Sequence, residues 1–106
     1  MVSKTNKNLK LASKLKKKIS KFLNIGEFIL FGSRAGNGFN EKSDFDILVV
    51  SRDFEGISWY RRPIEIYLSW EENYPLEVLC YTPNEVVEGK KRRGIIFEAI
   101  NTCIEV

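Results

Sequence analysis

Residues 31–50 read FGSRAGNGFNEKSDFDILVV. The segment ends in an unbroken apolar run, Ile47 to Val50, led in by Asp44 and Asp46 with Phe45 between them. A short apolar run of this kind suits a strand covered on both faces, so residues 44–51 are expected to form a central strand. Residues two apart on a strand share a face, which points Asp44 and Asp46 together and turns Phe45 into the core. At about 5 Å and an effective dielectric near 20, their repulsion amounts to roughly 3 kcal/mol. A hard cation such as Mg²⁺ compensates it, because Mg²⁺ is bound by a few carboxylates together with substrate phosphates. A bare D-x-D is more often a pair of solvated acids. Here ten residues separate it from Gly32-Ser33, and this G-S-x10-D-x-D spacing arises by chance in about one chain in a thousand.

Working outward, EFILF (27–31) is a strand candidate that stops at Gly32. Gly32 lets backbone approach a phosphate closely, Ser33 adds a hydroxyl donor, and a short helix starting there would offer N–H groups to an anion. Arg34 is a further candidate for phosphate contact, as readily read as a surface arginine. Gly36, Asn37 and Gly38 suit a turn. LEVLCY (76–81) is a third strand, and TPNE (82–85) reads as a capping box that opens a helix. That helix is expected to loosen at Gly89 and resume through Ile95, Ile96, Ala99 and Ile100. CIEV at residues 103–106 suits a short edge strand. Residues 59–72 fit either a helix or a strand; Pro63 favours a helix starting near Arg61 or Arg62.

Leu11, Leu15, Ile19, Phe22 and Leu23 recur at helical spacing, with Asn24 and Gly26 as stop signals, so residues 1–25 read as a basic amphipathic helix leading into one domain, 1–106. Residues 1–26 hold eight lysines and no acid, whereas residues 27–106 hold nine basic and fourteen acidic residues, a charge of −5. The lysines are read first as a solvated helix face, and second as a patch that attracts an acidic partner.

A length of 106 residues, 43% hydrophobic and 29% charged, suits one globular domain rather than a disordered or membrane-spanning chain. The chain has no histidine and only two cysteines, which excludes His-based catalysis and a Cys/His zinc site. With no secretory pattern and no disulfide framework, the expected location is cytoplasmic. Cys80, in an apolar strand, reads as a small buried hydrophobe, and Cys103 has no histidine to activate it. Trp59, Tyr60, Tyr67, Trp70 and Tyr74 are expected to pack in or over the core, with a stacking platform as the alternative. The run KKRR (90–93) reads as solvated surface.

The motif GSRAGNGFNEKSDFDILVV resembles the signature of the polymerase-beta-type nucleotidyltransferases, and in particular their minimal, antitoxin-like group. The order of elements resembles that family over nearly the whole chain. The resemblance implies an α/β fold, a small mixed β-sheet with flanking helices. It implies transfer of a nucleoside monophosphate to a hydroxyl with two Mg²⁺ ions, ATP being the expected donor. Asp44, Asp46 and Glu77 are then the catalytic and metal-holding carboxylates, with Glu77 standing where relatives often have aspartate. Gly32, Ser33 and Arg34 are the nucleotide-binding residues. Many relatives carry arginine then glycine after GSRA, where this chain has Gly36 and Asn37. The resemblance also implies a small helical HEPN-type partner whose hydroxyl is the acceptor. The alternative is a binding module that neutralises a partner by contact alone. Nucleic acid is not the favoured ligand, and self-association into a homo-oligomer is left open.

Overall fold

The computed structural model describes residues 4–36, 42–90 and 103–106. The elements are α1 (Lys4–Ile19), β1 (Glu27–Phe31), a 3-10 turn (Gly32–Ala35), β2 (Phe45–Val50), a second 3-10 turn (Arg52–Phe54), α2 (Ile64–Ser69), β3 (Leu76–Tyr81), α3 (Pro83–Lys90) and β4 (Cys103–Glu105). The expected resumption of a helix through Ile95, Ile96, Ala99 and Ile100, the turn residues Asn37 and Gly38, and residues 91–93 of the KKRR run lie outside the described residues.

The strands form one sheet in the order β3-β2-β1-β4. β2 runs antiparallel to β1 and parallel to β3, and β4 pairs antiparallel with β1, so the sheet is mixed. β2 is internal, and five of its six residues are buried, as its apolar run demands. Alternation divides the sheet into two faces. Phe28, Leu30, Phe45, Ile47, Val49, Val78 and Cys80 meet Ala12, Leu15 and Ile19 of α1 and Ile66 of α2. On the other face, Ile29, Leu48 and Val50 pack with Val86 of α3, flanked by Phe31, Leu79 and Tyr81.

α1 ends at Ile19, several residues before the expected stop, and Ser20 to Phe22 close it with a turn through Phe22 N–H to the Ile19 carbonyl at 3.1 Å. Phe22 is therefore off the buried stripe and 47% exposed. The stripe that packs is Asn8, Ala12, Leu15 and Ile19. α2 begins at Ile64, with Pro63 as its capping residue rather than inside its first turn. A residue before proline is pushed out of the α region, so Arg62 cannot join the helix readily. The connection from β2 through α2 returns the chain to β3 in parallel register, Asp46 beside Glu77.

Candidate active site

Three short segments meet at one end of the second sheet face. β1 delivers the turn Gly32–Ala35, β2 delivers Asp46 just after its start, and β3 delivers Glu77 at its second position. In the register, Asp46 stands between Phe31 on one side and Glu77 on the other. Asp44 lies before the strand and is exposed. Its position is fixed by the next residue, since Phe45 N–H donates to the Pro75 carbonyl at 2.8 Å and extends the β2–β3 ladder.

Gly32 adopts φ +74°, a left-handed conformation costly to any residue with a side chain. Its α-carbon also faces the Asp46 carboxylate. A Cβ at Gly32 would collide with Asp46 Oδ2 and lie 3.2 Å from its Cγ. The glycine thus brings the backbone of the turn directly against the half-buried acid. Ser33, next along, is exposed.

The electrostatics agree with this placement. Burial pushes the Asp46 carboxyl above its ordinary value, and the nearby charges of Asp44 and Glu77 push it further in the same direction. Among the described residues, no group of three carboxylates converges closely enough to hold a metal ion by itself. The closed trio of ligands expected of Asp44, Asp46 and Glu77 is not assembled. An open donor set, acids of this cluster completed by oxygens of a phosphate ligand, would suit Mg²⁺. A cation there would also relieve the like-charge cost at Asp46.

Arg34 sits inside rather than at the phosphate side. It is 3% exposed, and its guanidinium lies 4.4 Å from the Phe45 ring centroid and 4.6 Å from that of Tyr74. Its Nε donates to the Ser43 carbonyl at 3.0 Å and its Nη1 to Asn8 Oδ1 at 3.2 Å. Asn8 Nδ2 in turn donates to the Arg34 carbonyl at 3.1 Å. Arg34 therefore ties the turn holding Gly32 and Ser33 to the residue that precedes Asp44. Asn8 is the partner that sequence reasoning overlooked. The signal was a lone amide at the position where the α1 stripe of Ala12, Leu15 and Ile19 calls for an apolar residue.

Two further groups fix the surroundings. Trp70 and Tyr74 pack on Phe45 with ring centroids 5.1 and 5.6 Å away, which holds the core side of the Asp44–Asp46 segment. Arg62, just before α2, donates to the carbonyls of Ile57 and Cys80 and to Glu85 Oε1. Cys80 is buried, and desolvation raises its thiol to about 12, so it is an inert filler of the core.

A model of the nucleotidyltransferase domain matches residues 12–102. A protein from Sulfolobus solfataricus, itself provisionally assigned as a nucleotidyltransferase, has a similar structure at 27% identity and a TM-score of 0.63, covering 80% of this chain and 76% of that one. BolA1 from Arabidopsis thaliana is similar at 25% identity and a TM-score of 0.54, over 71% of this chain and 94% of that one. The BolA domain of SufE1 from the same plant, at 23% identity, a TM-score of 0.51 and coverage of 70% and 93%, shares the fold. No curated protein is significantly similar. The family match spans the turn, the paired acids and the β3 carboxylate together, and on that ground the chain belongs to the nucleotidyltransferase domain family.

Proposed function

We propose that this domain transfers a nucleoside monophosphate, AMP from ATP, to an acceptor hydroxyl in a Mg²⁺-dependent reaction. The observation that carries the reading is the line Gly32–Asp46–Glu77 across adjacent strands, with the glycine backbone in contact range of the central acid. Asp44 and Asp46 would hold Mg²⁺ together with the triphosphate. Two ions, as the resemblance implies, would share the same pair. When bound, Mg²⁺ supplies positive charge that both the carboxylates and the phosphates need.

Gly32 and Ser33 receive the departing phosphates, through close backbone approach and a hydroxyl donor. Arg34 and Asn8 act on this step at a distance, by fixing the turn. Glu77 lies across Asp46 from Gly32 and so faces the attacking hydroxyl, whose proton it accepts. A HEPN-type partner as the source of that hydroxyl rests on the family resemblance alone. Neutralising a partner by contact, without transfer, would leave the charge strain at Asp46 without a use.

The test is thermal unfolding with Mg²⁺ and ATP, because a ligand bound only by the native state raises Tm. Wild-type protein should show the rise, and the Asp44→Asn/Asp46→Asn double variant should not. Transfer of radiolabel from α-labelled ATP should be lost in the same variant. An equal Tm rise in both proteins would refute the assignment.

A further inference from the structure

The chain around α2 turns a stripe of side chains outward. Arg61, Ile64, Glu65 and Leu68 stand at successive three- and four-residue steps and are all exposed, while Ile66 packs into the core. Arg61 joins the stripe through the turn in which its carbonyl accepts from Ile64 N–H at 3.4 Å. Trp59 and Tyr60, expected to pack in or over the core, stand in solvent at the head of the stripe, their rings edge to face with centroids 5.8 Å apart. Trp59 and Leu68 are each 78% exposed. We propose that this face binds the same face of a second copy of the chain across a two-fold axis. α2 covers the first sheet face through Ile66, whereas Asp46 alternates with it on the second, so the homodimer leaves the Gly32–Asp46 site open.

The size of the face points to a protein partner. With Ile57 and Tyr67, the exposed aromatic and aliphatic groups offer on the order of 600 Å² of apolar surface, the upper end of what a monomer carries. A stable interface takes about 800 Å² from each partner, so a polar rim completes the requirement. The face also has relief. Beside the stripe lies a recess of about 380 Å³, lined by Ile57, Arg61 and Glu65 together with the buried Phe54 and Ile66. A two-fold contact uses one surface twice, and raised and hollow parts on that surface let it interlock with its copy.

The identity of the partner follows from charge. Arg61 and Glu65 are of opposite sign, and among the described residues neither is in an ion pair. A two-fold axis passing between them sets Arg61 of each copy against Glu65 of the other and brings Leu68 toward Trp59 and Tyr60 of the second copy. The stripe is thus its own electrostatic complement. A partner surface of single sign would satisfy one of the two charges and leave the other facing its like. An anionic bilayer is opposed as well, since Glu55, Glu65 and Glu71 are exposed around the same surface.

The experiment is sedimentation equilibrium of the full-length chain from about 1 to 300 µM, a range that covers the weak end for interfaces of this area. Wild-type protein should pass from monomer to dimer within it, and its Tm should rise with concentration. Leu68→Asp should weaken the dimer about thirtyfold or more, the scale of a lost central anchor, while the circular dichroism of the monomer stays that of wild type. Arg61→Glu and Glu65→Arg should each weaken it about tenfold, and the Arg61→Glu/Glu65→Arg double variant should recover most of the loss, because the exchanged charges meet again across the axis. The Asp44→Asn/Asp46→Asn variant should dimerise as wild type does. A chain that stays monomeric throughout overturns the proposal, whatever else covers the face. So does a dimer indifferent to Leu68→Asp, or a double variant no better than either single one. Dimerisation is read without nucleotide, so a missing Mg²⁺–ATP response bears on the transfer reading alone.

Discussion

Gly32 carries two separate constraints, and they can be measured apart. Its φ of +74° penalises any side chain, and Gly56, at φ +78° with nothing within 4 Å of a built Cβ, carries the first constraint without the second. Gly56→Ala should therefore cost about 1–2 kcal/mol from conformation alone. Gly32→Ala should cost distinctly more, and the excess should vanish in an Asp46→Ala background, as denaturant unfolding of the four variants would show. Asp46 itself sets a pH dependence. Its folded value is raised, so the native state gives up stability as pH rises through the carboxylate range and is spared that loss below it. Asp46→Asn should stabilise the metal-free protein at neutral pH, and its advantage should fade as the solution is acidified below the ordinary carboxylate value. An advantage that persists at low pH would show that packing, not charge, is responsible. These residues illustrate what the sequence made readable. The spacing from Gly32 to Asp46 was legible because backbone conformation and like charge each leave a local mark. Arg34 was not, because its partners Asn8, Ser43 and Tyr74 are scattered along the chain and only the fold collects them.

At the scale of elements, the strands were legible nearly to the residue, since a short apolar run between turn residues has few alternatives. The start of α3 was equally clear. Thr82 Oγ1 accepts from Glu85 N–H at 3.2 Å and Glu85 Oε1 accepts from Thr82 N–H at 2.7 Å, the reciprocal capping box that TPNE suggested. The helices around residues 20 and 60 were less clear, because their ends depend on contacts made by other elements. Arg62 is the example. Its side chain is 9% exposed and spends its donors on Ile57, Cys80 and a 2.6 Å pair with Glu85, so it joins the β2–β3 crossover to the cap of α3. Arg62→Met should cost about 2–3 kcal/mol, the scale of charge-assisted bonds lost in a half-buried setting, and Arg62→Lys should recover little because lysine lacks the fork. Thr82→Ala should cost about 1 kcal/mol through the cap. Burial alone would raise the Glu85 carboxyl, but the Arg62 and Thr82 hydrogen bonds and the Arg62 charge together hold it below the ordinary value. Its contribution is present above that ordinary value and lost as pH falls through the lowered one. Glu85→Gln should thus be less stable than wild type at neutral pH and converge with it in acid.

Over the whole molecule, the contrast between a basic first segment and an acidic remainder is partly settled within the chain. Lys14 pairs with Glu72 at 3.2 Å and Lys18 with Glu71 at 3.4 Å, while Lys18 also donates to the Ser69 carbonyl and Lys16 to the Val106 carbonyl. These lysines fasten α1 to the end of α2 and to the end of the chain. Lys10, Lys17 and Lys21 are exposed, and among the described residues no carboxylate pairs with them. The two sets should therefore respond differently to replacement by glutamine. Lys14→Gln with Lys18→Gln should lower stability by up to about 1 kcal/mol in dilute buffer, and added salt should erase most of the difference, because exposed pairs are weak and screened. Lys10→Gln with Lys17→Gln and Lys21→Gln should leave stability within about 0.5 kcal/mol of wild type. That triple change takes the formal net charge from +3 to zero, so its effect should appear as reduced solubility near neutral pH instead. Denaturant unfolding at low and high salt, beside a solubility measurement, separates the cases. A stability loss in the triple variant equal to that of the Lys14/Lys18 variant would mean that α1 is held by its whole charge rather than by two located pairs.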